Sequence, residues 1–357
     1  MYGAAVGGRN KRKNFRKIRG RSMLNLQKEF LDFHDAIKLD DENKTLREKR
    51  EILLKKLKEN ITEEAATYTT FNQGSYAMGT GILPEDEDYD IDVGIKFDIS
   101  KDDFEDPIEP KKWVRDALNG HTKSVKIRRS CVTVTYQNAG EALYHVDFAI
   151  YAAQNSDGKM YIAKGKEFSA KENKKWELSD PQGLINAIKD KYNDKDAAQF
   201  RRVIRYLKKW KTHNFGSSGN AAPTGIGLTV LAYNLFCVNK ETDWATGKET
   251  YNDFEALRNL VISIKNAFSL AWNNEDAVFY HTISAYLPVE PYNELFEKMT
   301  VIQMEDFYQK LDSMLSKFDE VSSKSKRAEA CSLLVEVFGS DFPVTVDRST
   351  VGTSESA

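Results

Sequence analysis

Alternating acidic and apolar residues in "DYDIDVGI", residues 88–95, constrain the fold more than any other feature of this chain. Side chains two positions apart on a strand face the same way, so Asp90 and Asp92 share one face. Tyr89, Ile91 and Val93 occupy the opposite, apolar face, which must pack against a core. The segment therefore predicts a strand that carries two adjacent carboxylates, which is half of a site for divalent cations.

A third carboxylate, Asp147, interrupts the otherwise apolar strand pattern "LYHVDFAIY" at residues 143–151. Burying an acidic residue is costly unless a cation or hydrogen bonds compensate it. If this strand lies next to the first, Asp90, Asp92 and Asp147 converge. Three carboxylates holding two Mg²⁺ ions can move a nucleotidyl group, and hard oxygen ligands suit Mg²⁺ or Mn²⁺ better than zinc. Asp147 is expected nearest the attacking 3'-hydroxyl, where it helps to bind the first metal and accepts the proton.

"FNQGS", at residues 71–75, fits the other half of such a reaction. Gly74 lets backbone N–H groups approach a triphosphate, and the Ser75 hydroxyl can donate to a terminal phosphate oxygen. Two aspartates at this spacing are common in solvated loops, so the motif alone says little. Combined with the glycine turn and the strand-borne Asp147, it predicts a nucleotidyltransferase. Acidic residues 85–88 are interpreted as a solvated loop.

The pattern of apolar residues divides the chain into four parts. At 357 residues it exceeds a typical single core, so two lobes are expected. Apolar spacing is helical over residues 23–61, strand-like within 89–151 and helical again beyond Pro181. We predict an α+β fold with a sheet lobe packed on a helical lobe and an active-site cleft between them. The predicted parts are a flexible basic leader, a lobe with N-terminal helices and a central sheet, a helical lobe and a mobile tail, at residues 1–22, 23–180, 181–343 and 344–357.

The helical lobe is expected to contain six helices, near residues 182–192, 196–213, 224–239, 253–272, 294–317 and 324–338. Net charge is only -2, which does not indicate a general nucleic-acid binder. The basic leader is either a frayed tail or a contact for a polyanion. Three dispersed cysteines argue against a disulfide framework, and no segment suits a signal peptide or a membrane span, so a cytoplasmic protein without membrane contact is expected.

Six segments together resemble one known family. They are "QGS", "DYDIDVGI", "YHVDFAIY", "KKWELSDPQGLINAI", "VIRYLKKWK" and "APTGIGL". The set is similar to the bacterial cGAS/DncV-like nucleotidyltransferases (CD-NTases), within the polymerase-beta-like superfamily, and the resemblance runs from about Leu46 to Pro343. It implies that Gln73, Gly74 and Ser75 contact the donor triphosphate and that the three aspartates bind the metals and are catalytic.

The resemblance also implies nucleotide contacts from the helical lobe. Lys208 matches a lysine that reaches the triphosphate, although a surface lysine beside Lys209 is the ordinary alternative. Thr224 matches a hydroxyl in the triphosphate pocket, unless Gly225 occupies that position. Ser179 and Asp180 match a loop at the mouth of the cleft. These two residues also suit a simple helix N-cap ahead of Pro181.

The activity that this resemblance implies is synthesis of a cyclic di- or trinucleotide second messenger from ATP, GTP or other nucleoside triphosphates, in CBASS anti-phage defence. The chain has no zinc ribbon of the animal DNA sensor, so activation by DNA or RNA is not implied. In some relatives the last residue is joined to other proteins by a conjugation system, which Ala357 would suit; a frayed terminus is the alternative. The rival functions are an RNA- or tRNA-directed nucleotidyltransferase and a non-catalytic nucleotide-binding protein.

Overall fold

A mixed sheet of seven strands supports the first lobe of the molecule. The computed structural model describes residues 24–39, 44–84, 89–122, 124–138, 141–216 and 221–345. The strands are β1 Tyr68–Asn72, β2 Tyr89–Phe97, β3 Ser124–Ile127, β4 Val132–Asn138, β5 Glu141–Ala152, β6 Tyr161–Lys164 and β7 Lys175–Leu178. Five of them follow the order β1-β2-β5-β4-β3, while β6 pairs with the end of β5 and with β7. The leader at residues 1–22, the acidic loop at 85–88 and the tail beyond residue 345 lie outside the described residues.

The central pair, β2 and β5, is the parallel pair of this sheet among the described residues, and its register decides where the acidic side chains lie. Asp92 is opposite Asp147, and Asp90 is opposite His145. The apolar residues of β2 between the two aspartates and beyond them are buried: Ile91, Val93, Ile95 and Phe97. They pack with α2 (Lys44–Asn60) and α4 (Ile108–Leu118) into the core of the sheet lobe. A four-residue helix, α3 (Gly74–Ala77), connects β1 towards β2.

A second core holds the helical lobe together. Its helices are α1 Gln27–Ile37, α5 Pro181–Lys189, α6 Asp194–Asn214, α7 Gly225–Leu235, α8 Asp253–Asn266, α9 Val301–Ser323 and α10 Arg327–Phe338. The sequence placed α1 with the sheet, but its buried Phe30 and Phe33 pack against Tyr206 of α6. The aromatic face of α1 packs against the helical lobe, whereas α2 packs against the sheet. Apart from α1, we still propose that the boundary between the sheet lobe and the helical lobe lies near residue 180.

The second half of the chain is less uniformly helical than its sequence pattern predicts. Two hairpins interrupt it, formed by β8 Lys240–Thr242 with β9 Glu249–Tyr251, and by β10 Ser269–Asn273 with β11 Val278–Thr282. Helix α8 consequently ends at Asn266 rather than near residue 272. Helix α9 begins at Val301 rather than near residue 294, because Thr300 and Gln303 form a reciprocal capping box. None of the described helices combines the length and the apolar character needed to cross a bilayer.

Candidate active site

A cavity of about 890 Å³ lies between the two lobes. The sheet lobe contributes the turn after β1, the acidic end of β2 and Tyr151 of β5, and the helical lobe contributes the first turns of α5, the end of α6 and the start of α7. The polar residues of its wall are Gln73, Ser75, Tyr89, Asp90, Asp92, Tyr151, Lys208, Lys211 and Thr212. A cleft of this size, mostly apolar with a few converging polar groups, has the character of a small-molecule site.

Three carboxylates meet at the sheet side of this cleft. Oxygen atoms of Asp90, Asp92 and Asp147 lie within 4.8 Å of one another. They converge because Asp90 and Asp92 share one face of β2, and the parallel pairing of β2 with β5 places Asp147 opposite Asp92. Asp90 is exposed and the other two are half-buried. The chemistry of the donor set, oxygen atoms alone, fits a hard divalent cation.

The surroundings of Asp92 disfavour a negative charge on its carboxylate. Burial, with added repulsion from Asp147, raises the pKa of Asp92 to about 6. None of the described residues donates a hydrogen bond to its carboxylate. A half-buried carboxylate next to another one is stabilised when a cation binds between them. The arrangement therefore favours occupancy by a positively charged ligand.

Asp147, in contrast, is held by two donors, one on the neighbouring strand β4 and one in the turn just before it. The Thr133 hydroxyl donates to one carboxylate oxygen at 2.6 Å, and the Cys131 thiol donates to the other at 3.2 Å. Burial and the adjacent Asp147 raise the pKa of Cys131 to about 12, which keeps the thiol protonated and able to donate. Sequence reasoning did not identify either residue. The period-2 spacing of "CVTVTY", which puts both side chains on one strand face, was the available signal.

The turn at Gly74 is in direct contact with the carboxylate cluster. Gly74 has φ +70, and a Cβ built there would lie 1.9 Å from Oδ2 of Asp92, so only glycine fits. The backbone N–H of Gln73 donates to the Asp92 carbonyl oxygen at 3.1 Å. The Tyr151 hydroxyl donates to the Gln73 side chain at 2.8 Å and also interacts with Ser179. The predicted phosphate turn and the predicted metal ligands thus form one packed unit.

Lys208, rather than its neighbour, is the lysine at the cleft. It is buried, and its ammonium donates to the carbonyl and the hydroxyl oxygens of Thr80 at 3.0 and 3.2 Å. Burial, with repulsion from Arg205 and Lys211, lowers the pKa of Lys208 to about 7. Lys209 points elsewhere and pairs with Asp341 at 2.5 Å.

Two of the predicted contact positions act as helix caps. The Thr224 hydroxyl accepts from the Gly227 N–H at 3.0 Å, and Thr224 is exposed outside the cleft, whose wall at this point is Gly225. The Asp180 carboxylate accepts from the Gly183 N–H at 2.8 Å and caps α5 ahead of Pro181. Neither side chain lines the main cavity, whereas Gln73, Gly74, Ser75 and Lys208 do.

A family model and several solved structures match this chain. Residues 68–151 match the model described as "Cyclic GMP-AMP synthase DncV-like, nucleotidyltransferase domain". This stretch contains β1, the Gly74 turn and all three aspartates. The match confirms the resemblance read from the sequence motifs and identifies a nucleotidyltransferase.

The solved structures match over most of the chain. CdnC of E. coli MS115-1, determined with ATP, has 18% identity and a TM-score of 0.64, over 88% of this chain and 98% of that chain. CdnG, a CD-NTase of Bradyrhizobium diazoefficiens in complex with GTP, has 12% identity and a TM-score of 0.61, over 88% and 95%. Vibrio cholerae DncV cyclic AMP-GMP synthase, with the linear intermediate 5' pppA(3',5')pG, has 15% identity and a TM-score of 0.56, over 89% and 87%. At such low identities these likenesses show the fold, and they confirm the predicted α+β architecture.

Proposed function

We propose that this chain, a nucleotidyltransferase of the bacterial CD-NTase family, is a cyclic oligonucleotide synthase that makes a cyclic di- or trinucleotide from nucleoside triphosphates. The observation that carries the proposal is the convergence of Asp90, Asp92 and Asp147 beside the Gly74 turn, in a cleft large enough for nucleotides. The carboxylates and the turn are the two parts that nucleotidyl transfer requires. A two-lobe cleft also has room for both a donor and an acceptor.

The metal ligands in this proposal are the three aspartates. Oxygen donors, the raised pKa of Asp92 and the lack of a described hydrogen-bond donor to its carboxylate fit two Mg²⁺ ions, with Mn²⁺ as a substitute. When bound, such ions supply activation of the acceptor hydroxyl and neutralisation of the triphosphate charge. Thr133 and Cys131 hold Asp147 in the orientation that this role needs.

The remaining proposed contacts concern the donor triphosphate. Gln73, Gly74 and Ser75 offer backbone N–H groups and a hydroxyl, and Lys208 offers an ammonium from the opposite lobe once it exchanges Thr80 for phosphate. In the proposed reaction the acceptor hydroxyl oxygen bonds to the α-phosphorus, the bond to pyrophosphate breaks, and Asp147 accepts the hydroxyl proton. We also propose Thr224, Ser179 and Asp180 as nucleotide contacts at the edge of the cleft. In the described structure their side chains instead interact with neighbouring protein groups.

The relatives support the proposed substrates, and the biological role is a further part of the proposal. The structures of CdnC with ATP and of CdnG with GTP support ATP and GTP as substrates here. The linear intermediate in DncV supports stepwise bond formation followed by ring closure. We place the product in CBASS anti-phage defence within the cytoplasm. Conjugation through Ala357 belongs to the same proposal and is tested separately, by looking for covalent adducts in cells that contain the accompanying system.

Radiolabelled nucleoside triphosphates test this proposal directly. The protein is incubated with each labelled triphosphate and Mg²⁺, the mixture is treated with phosphatase, and the products are separated and weighed by mass spectrometry. A small phosphatase-resistant product supports the cyclic synthase. Extension of added RNA or tRNA would assign the chain to the tailing enzymes instead. Unchanged triphosphate under all conditions would favour a non-catalytic nucleotide-binding protein.

A further inference from the structure

We propose that the turn between β3 and β4 is an anion subsite that binds a phosphate group of the acceptor nucleotide, either a nucleoside triphosphate or the 5'-phosphorylated linear intermediate. This inference rests on the proposed function and extends it to a region that no sequence motif singled out. The turn comprises Arg128, Arg129, Ser130 and Cys131.

A second cavity, distinct from the main cleft, lies on the far side of the carboxylate cluster. Its volume is about 470 Å³, and its wall consists of the turn together with side chains from β2, β4 and β5: Asp90, Arg128, Arg129, Ser130, Cys131, Thr133, His145 and Asp147. We call it the arginine groove. Asp90 lines both this groove and the main cleft, whereas Asp92 faces the cleft and Asp147 faces the groove. The three carboxylates therefore separate two spaces that a donor and an acceptor can occupy.

A buried lysine ammonium fixes the backbone of the turn that lines the groove. Lys111 of α4 is fully buried, and its ammonium donates to the carbonyl oxygens of Arg128, Arg129 and Gly165 at 3.1, 2.8 and 3.0 Å. The Arg128 N–H donates to the Cys131 carbonyl at 2.9 Å, and the Gly165 N–H donates to the Arg129 carbonyl at 2.8 Å. Four of these hydrogen bonds involve the turn itself, so its side chains are presented at a defined place and little order has to be gained when a ligand binds.

The two arginines of this turn have no ion-pair partner among the described carboxylates. Arg128 and Arg129 are exposed and form no ion pair with any described acidic residue. Lys164 donates to the Ser130 hydroxyl at 3.0 Å. Burial lowers the pKa of Lys164, the nearby Glu177 carboxylate opposes this shift, and Arg129 and Lys298 add to the lowering. Cations that repel one another beside an open groove are stabilised by a bound anion, and the planar guanidinium suits phosphate especially well.

The geometry of phosphoryl chemistry assigns the anion to the acceptor. In an in-line displacement the attacking and leaving oxygens lie on opposite sides of the phosphorus. The Gly74 turn and Lys208 lie on the main-cleft side, where the donor triphosphate is proposed to bind. The acceptor then approaches from the Asp147 side, and its own phosphates meet the arginine groove. The competing explanation is that Arg128 and Arg129 only balance the negative charge of the aspartates. It predicts different results in the two experiments below.

The acceptor assay uses two matched double variants. Arg128→Gln/Arg129→Gln removes the proposed contacts, while Lys126→Gln/Lys166→Gln removes two exposed charges that line a different depression next to the same turn. Both leave the backbone carbonyls for Lys111 in place. The donor is 2',3'-dideoxy-ATP, which has no hydroxyl for attack, and the acceptor is ATP or adenosine. We expect the arginine variant to raise the KM for acceptor ATP by about tenfold or more, with unchanged use of adenosine and unchanged donor KM.

A binding measurement separates this inference from the proposed function. Calorimetric titration with α,β-imido-ATP and Mg²⁺ should give two sites per chain in the wild type and the lysine variant, and a second site weakened by about tenfold or more in the arginine variant. Equal affinity of the second site in all three proteins, with unaltered acceptor preference, would refute the subsite and leave the synthase proposal standing. Tighter Mn²⁺ binding in the arginine variant, with an unchanged KM for acceptor ATP, would instead show that the arginines only balance the charge of the aspartates. Selective loss of RNA binding would assign the groove to nucleic acid.

Discussion

Two carboxylate environments in this molecule differ in how their charge is compensated. Asp253, at the start of α8, is fully buried and accepts hydrogen bonds from Arg202, Gln199 and Tyr206. Asp92, at the cleft, is half-buried, and no described side chain donates to it. The first carboxylate is compensated by the protein itself and stabilises the helical lobe. The second is suited to compensation by a ligand, which is the difference between a structural and a functional buried charge.

Removing the cleft charges should have the largest effect on activity. We expect Asp90→Asn with Asp92→Asn to lower product formation by at least about a thousandfold, because metal-dependent charge stabilisation of several kcal/mol is lost. The melting temperature should stay the same or rise, since repulsion with Asp147 is relieved. Labelled-product assays and thermal unfolding measure the two quantities. Full activity in this double variant would contradict the site assignment.

The matching change in the helical lobe should act on stability instead. Asp253→Asn leaves the Arg202 guanidinium buried without its carboxylate, so we expect the free energy of unfolding to fall by about 3–5 kcal/mol. Urea unfolding measures it, with the surface change Asp306→Asn as the control. Were Asp253→Asn no more destabilising than the control, the contrast drawn above between the two environments would be wrong.

Gly74 tests the contact between the phosphate turn and Asp92. We expect Gly74→Ala to lower activity by about a hundredfold, because a methyl group there displaces the Asp92 carboxylate as well as straining a backbone at φ +70. Gly120→Ala is the control, since Gly120 has φ +77 but open space around it. Urea unfolding measures the cost of strain in each variant. If Gly74→Ala destabilised the protein no more than Gly120→Ala does, the clash with the Asp92 carboxylate would be excluded.

A smaller effect is expected from the proton on Lys208. Because burial lowers the pKa of Lys208 to about 7, the free protein loses the ammonium as the pH rises above 7. Phosphate binding favours the protonated form, so ATP affinity should weaken between pH 7 and 8.5 by about tenfold. Calorimetric titration at both pH values measures it. The control is Lys208→Arg, whose charge is constant and whose affinity should change little. Equal pH dependence in both proteins would refute the assignment to Lys208.

The site's central geometry was predictable because alternation on a strand fixes side-chain direction. Apolar periodicity located β2 and β5 to within a few residues, and the rule that strand side chains alternate put Asp90 and Asp92 on one face. Adjacency of the two strands had to be assumed, since pairing depends on contacts distant in sequence. Catalytic and binding roles for these residues remain a proposal.

Several other features of the fold and the site could not be predicted from the local sequence pattern. Strand β1 has an exposed, mixed burial pattern, so its alternation is weak, and β6 and β7 are only four residues each. Helix α1 was assigned to the wrong lobe because an apolar stripe does not specify its partner. The arginine groove depends on Lys111, whose three carbonyl partners are brought together only by the folded chain.

The contact between Gly74 and Asp92 has a thermodynamic consequence. Since the turn touches the carboxylate, a shift of either one on occupancy is transmitted to the other without an intervening residue. Cation and triphosphate should then strengthen each other's binding by the same factor, as linkage requires. Such reciprocity would make the protein hold a nucleotide weakly when the cation is absent, and tightly only when both are bound.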